Sequence, residues 1–149
     1  MKLPNHVKVK RFPWTLLPLF STATAHAIYP YIYIPQKLYV NLQLDNPDPK
    51  NVAVLIHEQT HIQRQKKMGW LLWELTYCFS GKFRMKEEIA AITASMKYYK
   101  KEKLVWDTQK SALFLSSYLY LWCTSYHNAK EKLDETWSAA FFGKLATKE

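Results

Sequence analysis

The sequence predicts an α+β domain dominated by helix, with a small N-terminal β-sheet over about residues 22–40 and helices after it. Three observations carry that expectation. Ile and Tyr alternate locally through "TATAHAIYPYIYIPQKLYV", the period-two pattern of half-buried strands. From residue 49 onward, apolar residues recur at helical spacing, with capping residues where the runs begin. Six Trp, ten Tyr and seven Phe stand against three Gly, a composition suited to a compact, aromatic-packed, helix-rich body. A chain of 149 residues, 48 % of them apolar, is expected to form one domain, 1–149, with a real core.

The elements follow in order. Residues 1–20 are basic and broken by proline, and they fit no element. Their basic start, the apolar run Trp14 to Phe20 and the small residues Ala23, Ala25 and Ala27 imitate a secretory signal. That run is only seven residues and is interrupted by Pro18, so a cytoplasmic location is expected, with export as the alternative. Over 22–40 one or two strands are expected, with Pro30 and Pro35 at an edge or at strand ends because neither can donate a ladder hydrogen bond. "LDNPDPKN" then turns into a helix over 49–68: Asp48 caps it, Pro49 fits the first helical position and Gly69 stops it. "WLLWELTYCF" is apolar nearly all round and reads as a buried helix or turn. A second long helix is expected over about Arg84 to Lys101, with Met85, Ile89, Ile92, Met96 and Tyr99 as its inward stripe. Asp107 can cap a third helix, 108–124. Asn128 can cap a fourth, 129–146, with Leu133, Trp137, Phe141 and Leu145 on one face.

Charge and cysteine usage narrow the function classes. The net charge of +9 suits an anionic partner, yet the lysines are spread over several helices and both ends without forming a stripe. Nucleic acid is therefore not expected as a partner, and a weak association with an anionic surface is the most the charge implies. The longest apolar runs fall short of the ~20 residues of a membrane span. Cys78 and Cys123 both sit in apolar runs and read as buried free thiols. A monomer is expected.

The chemistry lies in "HEQTH", residues 57–61, well inside the 49–68 helix. Residues four apart stand one turn apart on the same side of a helix, so His57 and His61 can each offer a ring nitrogen to one zinc ion at ~2.0–2.1 Å. Glu58 is rotated by ~100° from His57, so it flanks such an ion without ligating it and can serve as general base. Val52, Leu55, Ile56, Gln59 and Ile62 map to one side of the helix, and the two histidines map nearly opposite, with Val54 and Met68 beside them. The helix can thus pack on the core and still present the histidines to a second element or cleft.

A catalytic zinc keeps three protein ligands and one open position. Arg64 and Lys67 stand where a metzincin would have its glycine and third histidine, which excludes that type. The remaining candidates are Glu87 and Glu88 at the start of the second long helix. Glu88 lies in register with Met85, Ile92 and Met96, and an acid on a buried face is costly unless paired or metal-bound. Glu87 points about a quarter-turn aside and reads as a solvated first-turn acid. Glu88 is the expected third ligand and Glu87 the substitute.

"HEQTH", a short apolar segment and then "EEIAAI" together resemble the gluzincins, zinc peptidases whose third ligand is a glutamate on a downstream helix. The likeness is nearest to the single-domain minigluzincins, more distant to the CAAX-type membrane peptidases, and covers roughly residues 22–100. It implies a zincin-like fold with an active-site helix and a second, glutamate-bearing helix. It also implies a zinc endopeptidase with one Zn2+ held by His57, His61 and Glu88, Glu58 as general base and later proton donor, and a peptide or protein substrate. An edge strand in "TATAHAIY" or "YIYIP" would align that substrate by β-addition, and residues 1–20 would be a latent, pro-like segment over the cleft. The family often places an acid one turn after the ligand glutamate; here Ile92 stands there, so another group must orient the zinc-bound histidine. Tyr118, Tyr120, Tyr126 and His127 are the oxyanion candidates by residue type. Two other classes compete: a catalytically silent zinc-stabilised interaction module, and a basic protein binding nucleic acid or an anionic surface with HEQTH incidental.

Overall fold

A computed structural model describes residues 3–11 and 24–142 of the chain. It is a small α+β fold, and the chain divides into two compact units, Met1–Glu74 and Leu75–Glu149. The signal-like run Trp14 to Phe20, most of the latent-segment expectation and the last turn of the fourth helix lie outside the described residues.

The first unit begins with a three-stranded sheet of β1 (Val7–Val9), β2 (His26–Ile28) and β3 (Tyr31–Ile34), in the order β1-β3-β2. β1 runs parallel to β3, with Val7 opposite Ile32, and β2 runs antiparallel to it, with Ala27 opposite Ile32. Pro30 sits in the turn between β2 and β3, and Pro35 precedes the next helix, so both prolines stand at strand ends. β3 alternates as its sequence implies: Ile32 and Ile34 are fully buried while Tyr31 faces solvent.

Two expectations are corrected in this unit. "YIYI" forms the central strand, so it offers no free edge; the edges are β1, within a stretch the sequence left unassigned, and β2. Strand does not reach residue 40 either, because Gln36–Leu42 forms a helix, α1. The helix α2 is Pro49–Met68, as expected: the Asp48 carboxylate accepts from the Lys50 N–H at 2.8 Å, and Gly69 leaves the helix at φ 92°. Leu55 of α2, Leu42 of α1 and Val7, Ile32 and Ile34 of the sheet form one buried cluster, with Val52 and Ile62 packed against it. The predicted apolar side of α2 thus faces the sheet.

"WLLWELTYCF" folds as helix α3, Trp70–Phe79, within which the division between the units falls. It is not buried as expected. Trp73 alone of its large apolar residues is buried, while Leu71, Leu72, Leu75 and Phe79 are exposed. Cys78 is exposed as well, and Cys123 is half-buried with its thiol donating to the Leu115 carbonyl.

The second unit packs α4 (Gly81–Lys101), α5 (Thr108–Leu115) and α6 (Tyr126–Phe142) around Ile92, Met96, Ala112, Leu115, Ala129 and Leu133. Met85, Ile89 and Trp137 lean on the same cluster, which bears out Met85, Ile89, Ile92 and Met96 of the stripe expected for α4 and Leu133 and Trp137 of that expected for α6; Phe141 and Leu145 lie outside the described side chains. α4 starts three residues earlier than expected because Ser80 caps it, accepting from the Phe83 N–H. α5 ends at Leu115, not 124: a 3-10 turn, Tyr118–Tyr120, follows, and Leu121 and Trp122 then adopt positive φ. α6 begins at Tyr126, where the Ser125 hydroxyl, and not Asn128, is the capping group.

Candidate metal centre

His57 and His61 lie in the middle of α2, where two turns of helix on either side fix their backbone. Their Nε2 atoms are 3.1 Å apart, and the rings meet edge-on at a centroid distance of 4.8 Å. Two ligand atoms ~2.0–2.1 Å from one tetrahedral ion would be about 3.3 Å apart, so the imidazole pair is already close to a chelating arrangement. Trp73, buried at the start of α3, packs its ring edge-on against His61 at 5.5 Å and limits its rotation.

One turn beyond His61, on the same face, the fully buried Gln65 ties α2 to its surroundings. Its amide donates to the Ala27 carbonyl at 2.9 Å and to Glu74 Oε1 at 3.0 Å, and its carbonyl accepts from the Tyr29 N–H at 2.7 Å. Gln65 therefore takes a C=O of β2 and the N–H of Tyr29 just after it, groups on the side where an added strand would pair. Burial pushes the Glu74 carboxyl above its ordinary range, and the nearby His61 opposes that shift. Glu58 is buried, and its negative charge acts on Lys10, which follows β1; burial lowers the pKa of Lys10 and Glu58 opposes the fall.

In the second unit, Glu88 is 2 % exposed on α4. Tyr77, on α3, donates its hydroxyl to Glu88 Oε1. Burial first, then the charge of Glu88, pushes the Tyr77 hydroxyl well above its ordinary pKa, so it stays a neutral donor. The Arg84 guanidinium lies 5.3 Å from the centre of the Tyr77 ring and donates to the Cys78 carbonyl at 2.7 Å. Those contacts hold the end of α3 against the first turn of α4, and with it the tyrosine against the glutamate.

His57, His61 and Glu88 form a group that could hold a metal ion: one ligand atom from each lies within 4.8 Å of the others. All three residues expected from the sequence to be ligands are in it. Glu87 is not, and it is buried where a solvated acid was expected. Of the oxyanion candidates, Tyr118, Tyr126 and His127 are exposed, and Tyr120 packs on the core of the second unit. Sequence reasoning missed Tyr77, Trp73 and Gln65. Gln65 repeats the four-residue spacing of His57 and His61, so helical register could have found it, and the same spacing places Trp73 and Tyr77 on one face of α3 without showing what that face meets.

Comparison with protein-family models, with curated proteins and with solved structures returned no match for this chain.

Proposed function

We propose that the chain is a zinc-dependent metallopeptidase of the gluzincin pattern, in which His57, His61 and Glu88 hold the ion and Glu58 is the general base. The observation that carries the reading is the convergence of one donor atom from each of the three ligand residues. Two imidazoles and one carboxylate are the donor set of catalytic zinc sites in peptidases, and three protein ligands leave a position for the reacting molecules. When bound, zinc supplies Lewis acidity, polarising the scissile carbonyl and lowering the pKa of water.

The chain's own groups supply the rest. Glu58 accepts the proton of the attacking water and later delivers it to the amine nitrogen as the peptide C–N bond breaks, leaving a carboxylate and an amine. Tyr77 donates its hydroxyl to one oxygen of Glu88, which fixes the orientation of that carboxylate. Trp73 restrains the His61 ring, a task that an acid would perform from the position held here by Ile92.

The test is cleavage of an unstructured protein such as casein by the zinc-loaded chain and by Glu58→Gln. Loss of a general base should lower the rate by roughly 10²–10⁴-fold with the zinc content unchanged. A second reading, a zinc-stabilised module without catalysis, draws on the burial of Glu58 and its charge coupling to Lys10. On that reading no cleavage is seen, and Glu58→Gln leaves zinc content and zinc-dependent melting as they were.

A further inference from the structure

Four side chains of the second unit stand outward where a packed helical domain would bury them. Leu75 and Phe79 lie one turn apart on α3, and Phe79 is 86 % exposed. At ~100° per residue, Leu71 and Leu72 continue the same stripe one turn earlier on that helix. Leu121 and Trp122 follow the 3-10 turn, and Trp122 is 70 % exposed.

Backbone geometry places the two pairs at one end of the unit. A Cβ on Gly81, two residues after Phe79, would lie 3.5 Å from the carbonyl oxygen of Cys123, the residue after Trp122. The Arg84 guanidinium also reaches the Tyr120 carbonyl at 3.5 Å. Leu121 and Trp122 are held at φ 52° and 46°, the left-handed region that side chains rarely enter, and two such residues in succession carry a steric cost. That cost is spent on turning a leucine and a tryptophan toward solvent.

The charge around this end is one-sided. Within the second unit, residues 75–86 carry Lys82, Arg84 and Lys86 and no acid, the acids that follow on α4, Glu87 and Glu88, are buried, and from 108 to 130 there is no acid. Lys82 and Lys86 are exposed one turn apart on the first turns of α4. No described helix is long and apolar enough to cross a membrane. Protruding aromatic and aliphatic side chains beside exposed lysines suit a surface whose headgroups are anionic and whose interior is apolar.

We propose that this end of the second unit, Leu75 and Phe79 on α3 with Leu121 and Trp122 beside them, docks on an anionic lipid bilayer, with Lys82 and Lys86 at the headgroups. The bilayer is wetted by the four apolar side chains and attracts the lysines, so it accounts for both features together.

The test is co-sedimentation of the full chain with phosphatidylcholine vesicles with and without phosphatidylglycerol. Binding is expected to the acidic vesicles and to fall with salt. Each lysine at an anionic surface contributes about fivefold, so Lys82→Gln with Lys86→Gln should weaken binding by about 25-fold. Phe79→Ser with Trp122→Ser removes two buried aromatic rings and should weaken it by roughly tenfold or more. All four side chains are exposed, so melting temperatures should stay near that of the parent; if the serine pair unfolds, the lysine pair decides. Failure to bind either vesicle, equal binding to both, or indifference to the lysine substitutions overturns the proposal. So does self-association that the serine pair abolishes while vesicles go unbound, which makes a second copy of the chain the occupant.

Discussion

Tyr77→Phe deletes one hydroxyl from the wall of the metal centre and nothing else. That hydroxyl donates to Glu88 Oε1, and Glu88 is 2 % exposed, so water cannot readily replace it. A hydrogen bond to a charged group is worth about 1.5–3 kcal/mol, and its loss lowers the stability of the metal-free chain by up to that amount. The informative effect lies in metal binding. Removing a group that orients a ligand lowers metal affinity by roughly 10–100-fold. At free zinc a hundredfold above the parent's Kd, binding stabilises the fold by about 2.7 kcal/mol. The same zinc should stabilise Tyr77→Phe by only about 0.4–1.4 kcal/mol. At roughly 3 °C per kcal/mol for a chain of this size, the zinc-induced rise in Tm falls from about 8 °C to about 1–4 °C. Calorimetry in zinc buffers reads this directly, with competition against a chromophoric chelator as the check on affinity. A variant that melts lower without zinc yet shows the parent's full zinc-induced rise would refute the positioning role of Tyr77, because its effect would then be structural alone.

Gln65→Leu keeps the volume but removes three hydrogen bonds, stranding the Ala27 carbonyl, the Tyr29 N–H and Glu74. At about 1–3 kcal/mol per stranded buried group and less than full additivity, urea unfolding should show a loss of roughly 2–4 kcal/mol. Leu133→Ala, at a fully buried position of the second unit's core, should cost about 2–5 kcal/mol in the same assay. The Asp134 carboxylate, held below its ordinary 3.8 by the Lys130 ammonium at 2.5 Å and the Thr108 hydroxyl at 2.7 Å, joins the start of α5 to α6. A lowered carboxylate pKa stabilises above the unfolded value and the gain disappears as pH falls through the folded one. Asp134→Ala should therefore lower stability at pH 7 by at most about 1 kcal/mol for so exposed a pair and leave it unchanged near pH 2, which melting as a function of pH reads.

What the sequence discloses follows how local each signal is. The bounds of α2 were legible to the residue because Asp48, Pro49 and Gly69 each act on the backbone within a few residues. The two imidazoles were legible because helical register fixes which side chains share a face, and Glu88 because its apolar neighbours on α4 face inward. α5 was over-extended because "SSYLYLWCTS" contains neither Gly nor Pro, and the left-handed turn at Leu121 and Trp122 is imposed on residues that do not announce it. α1 was read as strand because Tyr39 and Val40 favour sheet, an inclination that packing of Leu38 and Leu42 on the first unit's core overrides. The exposure of α3 was hidden for a related reason: an apolar run reports what would prefer burial, and whether anything covers it depends on elements distant in sequence. Tyr77 was not legible because its hydroxyl reaches Glu88 from one helix to another, a relation that register along either helix does not encode.

The central claim is that His57, His61 and Glu88 share a single divalent cation, and metal stoichiometry tests it most directly. The chain, purified without added metal and dialysed against buffered zinc, should retain one zinc per molecule. His57→Ala, His61→Ala and Glu88→Ala should each abolish or greatly weaken that retention, while Glu87→Ala should not. Retention of no zinc, or of zinc that Glu88→Ala leaves undiminished, would contradict the account.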